Sequence, residues 1–256
     1  MKKIAVITGA SSGIGRRFTE TIGDYGAAFD EIWVIARRAD RLQELTAPYP
    51  IRPVPLDLTN RASFDTYKAL LEQEQPDVAL LINCSGFGKF AAVEDTPLAT
   101  DLNMVDLNCQ AVMALCQLTL PFMHRGARII NIASVAAFQP IPYINVYAAT
   151  KAFVLYFSRA LNRELKKRGI TVTAVCPFWT KTEFFNRAVS AQSDAVVKKY
   201  TAMYRPEQIV TRAWRDAKRG KDVSKFGFVA RAQAGLCKLL PHSLIMTIWQ
   251  KQQKLD

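Results

Sequence analysis

The sequence predicts one α/β domain, a doubly wound parallel sheet with helices on both faces. Three observations predict it. Short, continuous apolar runs alternate with longer stretches of helical period, which is how strands buried on both faces read. A glycine-rich turn joins the first such run to the first helical stretch. No internal repeat, low-complexity linker or charge block divides the 256 residues, so residues 1–256 are read as a single domain, a length this class fills as one unit.

The elements follow in order. Ile4–Thr8 reads as the first strand; the apolar part of the N-terminus is too short for a secretory signal, and a cytoplasmic location is expected. Ile14–Tyr25 carries a helical pattern. Ile32–Ala36 is a second strand ending in Arg37 and Arg38. Asp40, with Gln43 three residues on, reads as a capping box opening a helix. Val54–Leu56 is a short apolar segment and Val78–Ile82 a third buried strand. One long helix is expected from about Thr100 to Met123, then the strand Ala127–Ala133, the helix Val146–Lys167, and the strand Ile170–Cys176 stopped by Pro177. A further helix starts at Arg205-Pro206-Glu207 and runs to about Arg219. Phe226–Ala230 reads as an edge strand, and a last helix follows Pro241. The uncharged stretches Leu107–His124 and Ile129–Thr150 contain Asn, Gln and Pro and do not read as membrane spans.

Composition excludes some functions. Cys84, Cys109, Cys116, Cys176 and Cys237 are scattered, and the chain has two histidines, so no metal site is expected. Net charge is +12, and all of it lies in the last third: residues 1–165 hold 16 basic and 16 acidic residues, residues 166–256 hold 18 and 6. Such a field attracts an acidic substrate or an anionic surface. No nucleic-acid-binding motif accompanies it, so nucleic acid is not an expected partner.

In open sheets of this class, ligands bind beyond the carboxyl ends of the strands. The first such end carries Thr8-Gly9-Ala10-Ser11-Ser12-Gly13-Ile14-Gly15. Free N–H groups at the following helix start favour a pyrophosphate. The spacing is GxxxGxG, and here the chain resembles the short-chain dehydrogenase/reductase family, whose TGxxxGxG signature it matches. The resemblance implies a Rossmann-like fold and a nicotinamide cofactor held by Gly9, Ser11, Ser12, Gly13, Ile14 and Gly15. At the second strand end, an acidic residue would hold the ribose hydroxyls and repel a 2′-phosphate. Arg37 and Arg38 stand there instead, and guanidinium groups suit a phosphate, so NADP(H) is expected. Asp57-Leu58 resembles the family's pair beside the adenine. Asn83-Cys84-Ser85-Gly86 lies where the family shows Asn-Asn-Ala-Gly; Asn83, Ser85 and Gly86 are assigned to the cofactor turn.

Tyr147 and Lys151 are four residues apart on one helix face. A cation beside a phenol favours the phenolate and lowers its pKa from about 10. Ser134, thirteen residues upstream at a strand end, can hydrogen-bond a substrate oxygen. The order of Ser134, Tyr147 and Lys151 after the glycine turn resembles the family's catalytic triad. Asn108 resembles the helix asparagine that holds a water bridging to the lysine. The resemblance implies proton transfer through Tyr147, carbonyl orientation by Ser134, and tuning of Tyr147 and ribose binding by Lys151. Pro177-Phe178-Trp179-Thr180-Lys181-Thr182 resembles the PGxxxT segment covering the nicotinamide, with Phe178 replacing the glycine. Pro177, Thr180 and Thr182 are assigned to it.

Residues 183–220 would form a lid region, apolar and aromatic through Phe184, Phe185, Val189, Val196, Val197, Tyr200, Met203 and Tyr204. That pattern suits a pocket and plain packing equally. In the basic extension 231–256, Leu244, Ile245, Ile248 and Trp249 share a helix face. It would pack on the body or a second subunit, or lie on an anionic membrane. The expected function is NADP(H)-dependent reduction of a ketone, or oxidation of a secondary alcohol. By family analogy the substrate is apolar (steroid, acyl or lipid-like) and the assembly a dimer or tetramer. The alternatives are a non-catalytic NADP-binding regulator, which would be expected to lack Ser, Tyr or Lys, and a peripheral-membrane reductase. A nucleotide-sugar epimerase shares YxxxK but shows a GxxGxxG turn.

Overall fold

The computed structural model describes residues 1–189 and 196–255. Seven strands form one parallel sheet in the order β3-β2-β1-β4-β5-β6-β7. They are β1 Lys3–Thr8, β2 Glu31–Ala36, β3 Ile51–Pro55, β4 Asp77–Asn83, β5 Arg128–Ile132, β6 Thr171–Val175 and β7 Val223–Ser224. The order reverses between β1 and β4, so a crevice opens above their carboxyl ends. The apolar runs form strands because both faces are covered. In β1, Ile4 and Val6 join one core cluster while Ala5 and Ile7 join the other, and all four are fully buried.

Helices α3 (Ala62–Glu74), α5 (Ala111–Thr119) and α6 (Asn145–Glu164) supply the first cluster. Helices α1 (Gly13–Glu20), α2 (Ala39–Gln43) and α8 (Pro206–Lys218) supply the second. Helix α4 spans Leu98–Val105, α7 Phe184–Ala188, α9 Phe228–Leu239 and α10 His242–Gln253. Among the described residues, no helix is long and apolar enough to cross a membrane.

Several boundaries differ from the sequence reading. The expected helix Thr100–Met123 is interrupted: a π-helical turn, Asp106–Gln110, separates α4 from α5, and a 3₁₀ turn, Leu120–Phe122, ends it. Periodicity could not show this, because the wide turn is held by tertiary bonds of Asn108. The expected helix Ile14–Tyr25 ends at Glu20, followed by a 3₁₀ turn and Gly26 at φ 76°. Arg38, not Asp40, caps α2: Leu42 N donates to the Arg38 carbonyl (3.2 Å), and Asp40 lies inside the first turn, where its charge still suits the helix dipole. Of the segment Val54–Leu56, Val54 and Pro55 end the edge strand β3, where Pro53 and Pro55 are tolerated, and Leu56 follows it.

The expected edge strand Phe226–Ala230 is wrong. Gly227, at φ 86°, ends the extended chain, and a Cβ there would strike the Tyr204 ring. The segment after it, with alanines at 230, 232 and 234, folds as α9. The seventh strand lies earlier, at Val223–Ser224.

Candidate active site

A single cleft of ≈ 720 Å³ runs along the carboxyl edge of the sheet. It begins at the turn between β1 and α1. Gly9 adopts φ 65°, and a Cβ there would come within 2.8 Å of the Cys84 and Ser85 backbone, so only glycine lets the two turns meet. Thr8 locks them together, its Oγ1 accepting from the amides of Cys84 (3.0 Å) and Ser85 (3.1 Å). Gly9, Ser11, Ser12, Gly13, Ile14, Gly15, Arg37, Arg38, Leu58, Ser85, Gly86, Pro177, Thr180 and Thr182 all line the cleft.

Two sequence-assigned cofactor residues have side chains engaged by the protein. Asn83 is buried beneath the turn, where its Nδ2 donates to Asn131 Oδ1 (2.9 Å); its part is to tie β4 to β5. Asp57, partly exposed between the cleft-lining Leu56 and Leu58, pairs with Arg37 at 3.8 Å. Arg38 donates to Ser11 Oγ (3.0 Å) and to Glu183 (3.1 Å), and Glu183 also pairs with Arg41 at 2.6 Å. The Arg41 bond, with further help from Arg38, holds the Glu183 carboxyl below its usual range.

Farther along, Ser134, Tyr147 and Lys151 share one wall. Ser134 follows β5 and caps the 3₁₀ turn Val135–Phe138, with Oγ accepting from Ala136 N at 3.1 Å. Tyr147 lies in the first turn of α6, with its phenol beside the Ser134 side chain. Lys151 comes one turn later, almost fully buried, and its Nζ donates to the Ile132 carbonyl at 2.8 Å. Burial pushes the lysine down to about 8. Burial also pushes the Tyr147 phenol up to about 12, against the opposing influence of the nearby Ser134 hydroxyl. The expectation that Lys151 lowers the Tyr147 pKa is thus not met here: Nζ is 5.7 Å from the ring centre, and desolvation prevails.

Asn108 is fully buried in the π-helical turn. Its Nδ2 donates to the Phe87 carbonyl (2.9 Å) and to Thr150 Oγ1 (3.0 Å), and its Oδ1 accepts from Phe87 N (3.1 Å). It clamps the loop after β4 to the helix that carries Tyr147 and Lys151.

The structure adds residues the sequence reading missed. Glu183 and Arg187, whose guanidinium lies 3.3 Å from the Phe87 ring centre, line the cofactor end. Gly88 packs so close that a Cβ there would lie 3.0 Å from Tyr147 Cδ2, and Gln139, Gln233 and Leu236, together with Ile245 and Trp249 of the face read from the sequence, extend the cleft past the triad. Of these, the apolar helix face through Ile245 and Trp249 was the sole readable signal. Among the described residues, no group of three His, Cys, Asp or Glu side chains is arranged to hold a metal ion.

The fold is the doubly wound, Rossmann-like α/β type, with the cleft at the point where the strand order reverses. The model of the short chain dehydrogenase family matches residues 3–193, and the chain belongs to that family; it is an oxidoreductase. An uncharacterised oxidoreductase from Staphylococcus epidermidis is 30% identical over 180 residues, covering 69% of this chain and 77% of that protein. Another from Staphylococcus aureus is 31% identical, covering 68% and 77%. A short-chain dehydrogenase from Sphingobium yanoikuyae in complex with NADPH superposes with TM-score 0.76 at 27% identity, covering 94% of this chain and 97% of that one. The bulky-bulky ketone specific alcohol dehydrogenase from Comamonas testosteroni gives TM-score 0.72 at 25% identity, covering 94% and 95%.

Proposed function

We propose that this chain is an NADP(H)-dependent carbonyl reductase or alcohol dehydrogenase acting on an apolar ketone or the matching secondary alcohol. The observation that carries the reading is the convergence of Ser134, Tyr147 and Lys151 on one wall of a cleft that starts at the glycine turn. The cleft suits a dinucleotide, since the Gly9 cradle is space a Cβ would fill. When bound, the cofactor supplies the hydride.

The residues of the chain do the rest. Burial keeps the Tyr147 phenol protonated, which suits a donor to the carbonyl oxygen during reduction. Ser134 beside it brings a second donor to the same part of the cleft, where the two would hold that oxygen and its developing charge. Lys151 would hold the nicotinamide ribose, and a positive charge beside the phenol favours phenolate for the reverse reaction. Asn108 is a positioning residue that fixes the loop facing them.

Arg37 and Arg38 support NADP(H), with Arg41 adjacent. The NADPH-bound Sphingobium enzyme and the ketone-specific Comamonas enzyme agree with this reading. The test follows NADPH absorbance against a panel of ketones, with Tyr147→Phe alongside. Turnover by the native chain that the variant loses is expected. Tight NADPH binding with no turnover of any ketone would favour the non-catalytic regulator.

One observation favours a membrane-associated variant of this reading. Phe228, Leu236 and Ile248 both line the cleft and stand more than half exposed, so they form its mouth, flanked by Arg231, Lys238 and Lys251. An apolar rim with cations suits an anionic bilayer supplying an apolar substrate.

A further inference from the structure

The cleft does not stop at the triad. It continues between the turn after β5, the lid and the two C-terminal helices, with Val229, Leu236, Ile245, Ile248 and Trp249 as its far walls. These walls are fixed in place. Trp249 Nε1 donates to the Pro142 carbonyl at 3.1 Å. Gln253, fully buried, accepts from the amides of Lys198 and Lys199 (2.9 Å each) and donates to the Lys199 carbonyl at 3.0 Å. Helix α10 is therefore stapled both to the turn before α6 and to the lid. A chamber walled this way takes an apolar molecular frame.

Polar side chains interrupt it, Gln139, Gln233, Thr201 and Gln252 among them, and one of these carries a free donor. Gln139, the residue that ends the 3₁₀ turn begun by Ser134, is 8% exposed and lines the chamber. Its Oε1 accepts from Gln233 Nε2 at 3.0 Å and from the Cys237 thiol at 2.9 Å, which occupies both lone pairs. Its Nε2 has no partner among the described residues. It is not among the fully enclosed polar atoms without a partner, so it reaches the open space of the chamber, where a ligand oxygen can satisfy it. The oxygen is turned to the protein and the N–H pair is left for the chamber.

We propose that the Gln139 amide is a second substrate anchor, donating to a hydroxyl or carbonyl oxygen on the far part of the substrate. The turn Val135–Phe138 separates Gln139 from Ser134, and at about 2 Å of rise per residue the two anchors lie roughly 10 Å apart along the chain. The substrate class is then an extended or fused-ring apolar ketone with a second oxygen function toward its other end. This rests on the reading of Ser134 and Tyr147 as the place of reaction.

The test measures binding apart from turnover. The native chain is saturated with NADP⁺, which cannot reduce a ketone. It is then titrated with a fused-ring diketone bearing carbonyls at opposite ends (androstanedione) and with the same frame bearing one carbonyl (androstanone), followed by quenching of tryptophan fluorescence; Trp179 and Trp249 line the chamber. One net hydrogen bond predicts about 3- to 10-fold tighter binding of the diketone. Gln139→Met should erase that preference and leave the monoketone within about twofold. Gln139→Glu, which keeps acceptors for Gln233 and Cys237 but removes the N–H donors, should erase it too. Equal binding of the two ketones by the native chain, or a preference surviving in either variant, overturns the proposal. If the preference appears but NADPH reduces neither ketone, the catalytic reading falls and the anchor stands. Reduction of both ketones without preference sinks the anchor alone.

Discussion

Substitution of Gly88 by alanine tests whether the position of Tyr147 governs turnover. A Cβ at residue 88 would lie 3.0 Å from Tyr147 Cδ2 and 2.7 Å from Phe184 Cζ, against an ordinary contact limit of 3.4 Å. Gly88 is not at positive φ, so alanine adds no backbone strain and acts only through these contacts. Phe184 belongs to the short helix of the lid and can give way, whereas Tyr147 is held by α6 and by Phe90, whose ring centre is 6.4 Å from its own. The phenol must shift by about 0.4 Å to restore contact, and misplacement of a reacting group by 1 Å can cost about 100-fold. The expected loss is therefore about sixfold in kcat for ketone reduction. On the proposed reading NADPH would be held chiefly at the turn between β1 and α1, so its binding should change little. Steady-state kinetics with a saturating ketone, NADPH fluorescence titration and a thermal melt together read this out. An unchanged kcat with native stability would refute the idea that this contact sets the tyrosine. A loss confined to NADPH affinity would place Gly88 in the cofactor site instead.

Three further outcomes follow from the same contacts. Glu183→Gln should release Arg38 and Arg41 and strengthen NADPH binding about 2- to 5-fold while leaving NADH unchanged; an equal change for both cofactors, read by fluorescence titration, would remove the arginines from 2′-phosphate recognition. Lys151→Met should raise the Tm of the cofactor-free protein at pH 7. The folded chain has released a proton by about pH 8 that the unfolded chain keeps to 10.5, so the cost of the buried charge is largest below pH 8 and fades toward pH 10; the gain in Tm should shrink over that window, and a pH-independent gain would contradict the lowered pKa. Phe228→Ser combined with Leu236→Ser should reduce pelleting with anionic vesicles, and unchanged pelleting would dismiss the membrane-facing mouth.

What the sequence made legible depended on how local its cause was. The strands are short apolar runs buried on both faces, a property each run carries within itself, so β1, β2, β4, β5 and β6 were readable to within a residue or two. The glycine turn and the Ser134–Tyr147–Lys151 series were readable because their chemistry fixes residue types at fixed spacing. The misses had distant causes. The break in the helix around Asn108 comes from bonds to Phe87 and Thr150, 21 and 42 residues away. The turn of chain at Gly227 comes from the Tyr204 ring packed against it. Asn83 and Asp57 matched a family pattern, yet their side chains bind Asn131 and Arg37, which no local pattern reports. The pKa of Tyr147 shows the same limit in energetic form. Spacing places a lysine one turn from the phenol and suggests a lowered pKa, but the cost of burying the phenolate depends on everything packed around it, including Phe90 and Phe184. In the cofactor-free protein that cost prevails, so the phenol is held as a proton donor until charge is brought to the cleft. On the proposed reading, the direction of chemistry at Tyr147 would then be set by whether the cofactor arrives reduced or oxidised, and Lys151 would matter most for where it holds that cofactor.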